Sequence, residues 1–221
     1  MKLSPRPPRT ASKLSDSVQH TLNMYAFAAS AAGVAMLAAA HPAEAKVVYT
    51  RAHFVLSGDS GLYQLDLNHD GVTDFSMANW FSCEDSECSN SLYIHSPAGN
   101  GVEARSEQYY HRADALKEGD QIGGKSQSFY GRWVFLLRSW VGQWYNVKDR
   151  YLGVRFLIKD AVHYGWVRAS TKGKGFTFSA TVTGYAYETI PNKPIIAGKT
   201  KGPDVITVEP GSLGELALGR K

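Results

Sequence analysis

Cysteine is scarce, with two in 221 residues. That excludes a disulfide-dense mini-domain and a cysteine-rich zinc module. There is no phosphate loop and no dinucleotide glycine fingerprint, so the common nucleotide-binding signatures are missing. The histidines past residue 45, at 53, 69, 95, 111 and 163, show no H-x-H or H-x-x-x-H spacing. No histidine-based catalytic metal site stands on them. Neither sign of charge is in large excess: 24 Lys and Arg face 20 Asp and Glu, net +4. That balance is too mild to argue for nucleic acid. Sustained helical periodicity is missing past residue 45, and so is any apolar run of spanning length. With 43% hydrophobic and 12% aromatic residues the chain is neither disordered nor collagen-like. One domain with extensions is the size-consistent reading.

The first 45 residues differ from the rest. Lys2, Arg6, Arg9 and Lys13 face one acid, Asp16, before the uncharged, alanine-rich run Met24–Ala40. Ala43-Glu44-Ala45 follows, just before Lys46. Basic start, apolar stretch and small-x-small site are the order of a secretory signal, with cleavage expected after Ala45. A retained anchor or an ordinary helix are the rival readings; alanine gains little from lipid. Residues 46–221 are then the mature protein, with no membrane span after signal removal, placed in the medium, at the cell surface or in the periplasm. Cys83 and Cys88 are expected to pair there, because two near cysteines in an oxidising compartment usually do. A metal site would have half a ligand set, and a redox site would need C-x-x-C.

The mature region reads as β throughout. Runs at Lys46–Leu56, Leu62–Leu67, Val72–Trp80, Ser91–His95 and Trp133–Leu137 are short and rich in β-formers, punctuated by Gly, Asp, Asn, Ser and Pro. Tyr151–Lys159, Val162–Thr171 and Phe176–Thr189 predict three consecutive strands of an antiparallel meander. A short helix is expected around Ser106–Lys117. The fold class is all-β, an antiparallel sandwich or jelly roll over 46–190. Residues 191–221, punctuated by Pro and Gly, read as an extended tail.

Three constellations bear on chemistry. The first is Asp66-Leu67-Asn68-His69-Asp70-Gly71-Val72-Thr73-Asp74, which fits D-x-[DN]-x-D-G-x-x-D. Oxygens at alternate positions converge when such a loop curls, and calcium takes six to eight of them. The expected ligands are the side chains of Asp66, Asn68, Asp70 and Asp74 with the carbonyl of Val72. Met77 stands where an EF-hand has its bidentate Glu, and the flanks are strands, so the loop resembles the short calcium loops of bacterial surface proteins. The competing reading is a plain hairpin turn at Asp70-Gly71. The second constellation is Gly58-Asp59-Ser60 with Asp160 and His163, similar to the nucleophile and base of GDSL-type hydrolases. Gly61 replaces the expected Leu, the required helices are missing, and Asp160 lies in a hairpin turn. The third is aromatic: Trp133, Trp140, Trp144 and Tyr145 lie close in sequence, with Trp80 and Trp166 elsewhere. They form either a core or a platform on which sugars stack.

The segments YLGVRFLIKDAVHYGWVRAS and GYAYETIPNKPIIAG, within 151–198, resemble the C-terminal part of uncharacterised exported bacterial β-rich proteins of the PEP-CTERM-associated type. The end, Val208 to Lys221, looks like a reduced form of that sorting signal, keeping Glu209-Pro210 and a basic end without the spanning helix between them. The resemblance implies an exported β-rich domain and no reaction. The leading expectation is a non-enzymatic protein with a structural or adhesive role at the bacterial envelope or matrix, calcium-stabilised. Extracellular polysaccharide or cell-surface components are its expected partners, and no nucleic acid. A carbohydrate-binding module and a serine ester hydrolase using Ser60 are the alternatives.

Overall fold

A computed structural model describes residues 46–57, 62–84, 87–138, 141–174 and 177–208. The expected signal helix, its cleavage site at Ala45, Ser60, Trp140 and the sorting-like end past Val208 all lie outside these residues. Fourteen strands account for the regular structure of the described residues. They are β1 (Val47–Ser57), β2 (Leu62–Leu65), β3 (Phe75–Glu84), β4 (Glu87–Ser96), β5 (Gly101–Ser106), β6 (His111–Ala113) and β7 (Gln121–Ile122). The later ones are β8 (Phe129–Tyr130), β9 (Arg132–Arg138), β10 (Arg150–Ile158), β11 (Ala161–Lys174), β12 (Thr177–Glu188), β13 (Ile195–Ile196) and β14 (Val205–Val208). The protein is all-β over the described residues, and none of their helices is long and apolar enough to cross a membrane.

One hydrogen-bonded path runs β14-β1-β12-β11-β10-β5-β6-β9-β4-β3-β2, with β8 added to β5. β10, β11 and β12 form the expected antiparallel meander. The sheet is mixed, however, where an antiparallel one was expected: β14 runs parallel to β1, and β6 parallel to β9. Parallel neighbours need long crossovers, and both pairs here are joined by long stretches of chain. The path turns back on itself beyond β5, so β12 lies against β3 and β4, and β1 against β2 and β3, without pairing to them. Asn79 fastens the halves, its Nδ2 donating to the Phe178 carbonyl at 2.9 Å.

The expected helix near 106–117 is replaced by β5 and β6, which pair across a turn closed by Glu107 N–H to the Tyr110 carbonyl at 2.9 Å. Ala104 and Ala113 face the core from directly paired positions, a period-2 arrangement that a helix would destroy.

Between the halves lies the main core, with Leu56, Phe75, Met77, Leu92, Ile94, Val134, Val154, Phe156, Val167 and Val182. A second core covers the opposite face of the meander, from Val47, Tyr49, Ile122, Tyr151, Trp166, Ala186, Ile195 and Ala197. It forms because β7 and β13 pair as a small ribbon that lies over Trp166. Central strands are therefore buried on both sides, which explains the unbroken buried run Tyr151–Val154. Residues 195–196 and 205–208, within the segment read as a tail, are strands of this structure.

Candidate functional site: the outer face of β3, β4 and β9

Period-2 alternation turns Phe75, Met77, Leu92, Ile94 and Val134 inward, and their neighbours outward. The pairing register stacks the outward residues in rows: Ser76, His95 and Trp133; Ala78, Tyr93 and Phe135; Trp80, Ser91 and Arg138. A bulge in the β4–β9 ladder, between Leu92 and Tyr93, leaves both Leu136 and Leu137 buried and returns Arg138 to the outer face. Trp80 is 52% exposed and Trp133 54% exposed, unusual for tryptophan on a sheet.

Trp133 is braced by Tyr93, edge-on at 4.9 Å between centroids, and by His95 at 4.6 Å. A depression of about 390 Å³ is lined by Trp80, Ser89, Ser91, Tyr93, Trp133, Phe135 and Arg138. A second, of about 440 Å³, shares Trp133 and Phe135 and adds Tyr109, Tyr110, His111 and Arg132. The guanidinium of Arg138 lies over the rings of Tyr110 and Phe135, at 5.2 and 5.4 Å. Arg112 also lies over the Tyr110 ring, at 5.4 Å, but is paired with Glu107 at 3.0 Å.

Of the aromatics read as core or platform, Trp133, Trp80 and Tyr145 are exposed, while Trp144 and Trp166 are wholly buried. Tyr93, Phe135, Tyr109, Tyr110 and Arg138 were missed as members of one face. The alternation in LYIHS and RWVF carried part of that signal, but the pairing of β4 with β9 joins residues some forty positions apart.

The Asp66–Asp74 segment is a tight turn between β2 and β3, with His69 at φ 61° and Gly71 at φ 86°. Asp66 accepts the N–H groups of Asp70 at 3.2 Å and Gly71 at 2.8 Å. Asp70 accepts Val72 N–H at 2.8 Å and Asn68 Nδ2 at 2.9 Å. Asp74 turns inward and accepts Leu67 N–H at 2.8 Å. Its burial, more than the nearby Asp66 and Asp70, raises its carboxyl to about 6 despite that hydrogen bond. Asn68 Oδ1 is buried without a hydrogen-bond partner. Val72 is exposed. Among the described residues no three His, Cys, Asp or Glu side chains are gathered as a metal-binding group. The five expected ligands thus share one loop, with the aspartates turned to backbone N–H groups.

Cys83 and Cys88 are directly paired across the β3–β4 hairpin and joined, with an S–S distance of 2.01 Å. Asp160 and His163 share the β10–β11 hairpin. Asp160 is in its turn at φ 65°, and the buried His163 donates Nδ1–H to the Glu188 carbonyl at 2.8 Å. Another buried acid, Glu103, accepts from Gln127 Nε2 at 3.0 Å, and its Oε2 has no hydrogen-bond partner. Burial foremost, then the neighbouring Asp114, pushes its carboxyl up to about 7.

Compared with protein-family models, curated proteins and solved structures, the chain matches none of them.

Proposed function

We propose that the chain is an exported, non-catalytic β-sandwich protein that adheres to polysaccharide at the bacterial envelope or matrix. In this reading the leading structural or adhesive role and the carbohydrate-binding alternative are one function. The observation that carries it is the exposure of Trp80 and Trp133 on one sheet face, with Tyr93, Phe135 and Arg138 between and beside them. Ring faces offer stacking surface for the C–H faces of sugars, and Ser89, Ser91 and Arg138 offer polar contacts for hydroxyls. The packing of β1 and β12 against β2, β3 and β4 supports calling the fold a sandwich. The grouping with exported PEP-CTERM-associated proteins stands on the residue resemblance, and export on the 1–45 pattern. N-terminal sequencing of protein from the medium or periplasm should begin at Lys46.

A glycan array probed with the processed protein tests the adhesive reading. Reproducible binding that is lost in Trp80→Ala/Trp133→Ala, with an unchanged melting temperature, supports it. A blank array with folded protein overturns it.

Calcium at the Asp66–Asp74 loop is part of the proposal. The unpartnered Asn68 oxygen and three carboxylates within nine positions favour a hard cation there. Binding would stabilise the folded state by about 1 kcal/mol at a few times Kd. The melting temperature should rise in millimolar Ca²⁺, and Asp70→Ala should abolish the response. No heat on calorimetric titration and no melting shift would leave the loop a plain turn.

A further inference from the structure

Resting on the polysaccharide reading of the β3–β4–β9 face, we infer that its occupant is an acidic polysaccharide, held along an internal stretch rather than by a chain end. The two depressions share Trp133 and Phe135 and so form one strip, from Trp80 to the highly exposed Tyr109. Trp80 and Trp133 lie two strands and two side-chain rows apart, roughly 16 Å by ideal sheet spacing. That length suits several sugar units. No terminal sugar needs it.

Charge decides the class of polymer. Each depression carries an arginine that no carboxylate of the described residues pairs with, Arg138 in the first and Arg132 in the second. The arginines nearby are neutralised: Arg112 by Glu107, and Arg105 by Asp114 at 2.7 Å. Among the described residues no acid lines the first depression, and Glu107, which lines the second, is the partner of Arg112. A guanidinium stacked on Tyr110 and Phe135 still has its in-plane N–H donors, which match a carboxylate in two-point fashion. A uronate places its ring face and its carboxylate at right angles, so one residue can stack on an aromatic while its acid group meets an arginine. A protein partner fits less well, since Ser89 and Ser91 place hydroxyls where an interface core would need continuous apolar surface.

The test is calorimetric titration of the full chain with polygalacturonate and with alginate. Fully methyl-esterified polygalacturonate is the uncharged control and digalacturonate the short one. Chelator is present throughout, so that calcium gelling plays no part. Expected is about tenfold tighter binding of the acidic polymers than of the ester at low salt. The preference should shrink as salt screens the charges. Digalacturonate should bind far more weakly than polymer. Arg138→Gln/Arg132→Gln should erase the preference and keep the residual binding of the ester, while Trp133→Ala should weaken every polymer. Equal affinity for acid and ester overturns the inference. So does a preference that survives both arginine substitutions, or a dimer that binds as tightly as polymer. Trp133-dependent binding without charge preference overturns the acidic class alone and leaves the polysaccharide reading standing. Absence of binding to these polymers overturns the acidic class, and a blank neutral glycan array beside it overturns the parent reading as well.

Discussion

Tryptophans eleven positions apart in one sequence cluster have opposite environments. Trp144 is wholly buried in the main core, where Thr171 donates its hydroxyl to the Trp144 carbonyl. Trp133 faces solvent. Trp144→Ala should therefore cost about 3–5 kcal/mol in chemical denaturation, because it leaves a large cavity. Trp133→Ala should change stability by less than about 1 kcal/mol while weakening glycan binding. Equal costs would mean that the exposed face is part of the core. Glu103 gives a pH dependence. Its folded carboxyl, raised to about 7 from an ordinary 4.5, keeps a proton that the unfolded chain releases. Stability from this group is thus fully present below about 4.5, falls as pH rises through the window, and is level above about 7. Glu103→Gln should flatten that slope and raise the melting temperature at pH 8. A melting profile with the same slope in both proteins would show that Glu103 does not titrate there.

At the scale of elements, turns and close approaches carry the strain. The β10–β11 connection is a two-residue turn with both residues left-handed, Lys159 at φ 48° and Asp160 at φ 65°. Such turns prefer Asn-Gly, because glycine has no Cβ to clash. Lys159→Asn/Asp160→Gly should add about 1 kcal/mol to stability, seen as a higher melting temperature. An unchanged or lower value would mean that the native side chains stabilise the turn by other contacts. Within the HYGW motif, Gly165 is demanded by packing: a Cβ there would lie 2.6 Å from the Ala186 carbonyl oxygen and 3.1 Å from Leu67. The resemblance motif thus holds a residue fixed by the adjoining strand and by the Asp66–Asp74 loop. That loop is itself tied to β1, since Thr50 Oγ1 and His69 Nε2 share a hydrogen bond of 2.8 Å.

For the whole molecule, the segment past Ile190 completes the sheet. β14 extends it beyond β1, and β13 with β7 covers Trp166. Lys199 and Asp204 form an ion pair between the two strands in sequence. A chain ending at Ile190 should lose several kcal/mol or fail to fold, because Val47, Tyr49 and Trp166 would be uncovered. An unchanged denaturation midpoint would show that the segment adds nothing.

Local pattern was enough for the all-β class, for eight of the strands and for the meander. Alternation and β-branched runs act over a few residues, and short turns leave consecutive strands little choice but to pair. The cysteine pairing was legible for the same reason: five positions and one hairpin separate the two. Tertiary structure decided what depends on distant chain. The sequence near Ser106–Lys117 is compatible with a helix, and burial of Ala104 and Ala113 at paired positions made it two strands. The tail's Pro and Gly read as loop until β1 and β7 supplied partners. Which tryptophans face water followed from the β3–β4–β9 register and its bulge, and from the second half of the sheet closing over the opposite face. Hydrophobicity identifies a residue as fit for burial, but only the long-range pairing of strands determines which side of a sheet becomes the inside.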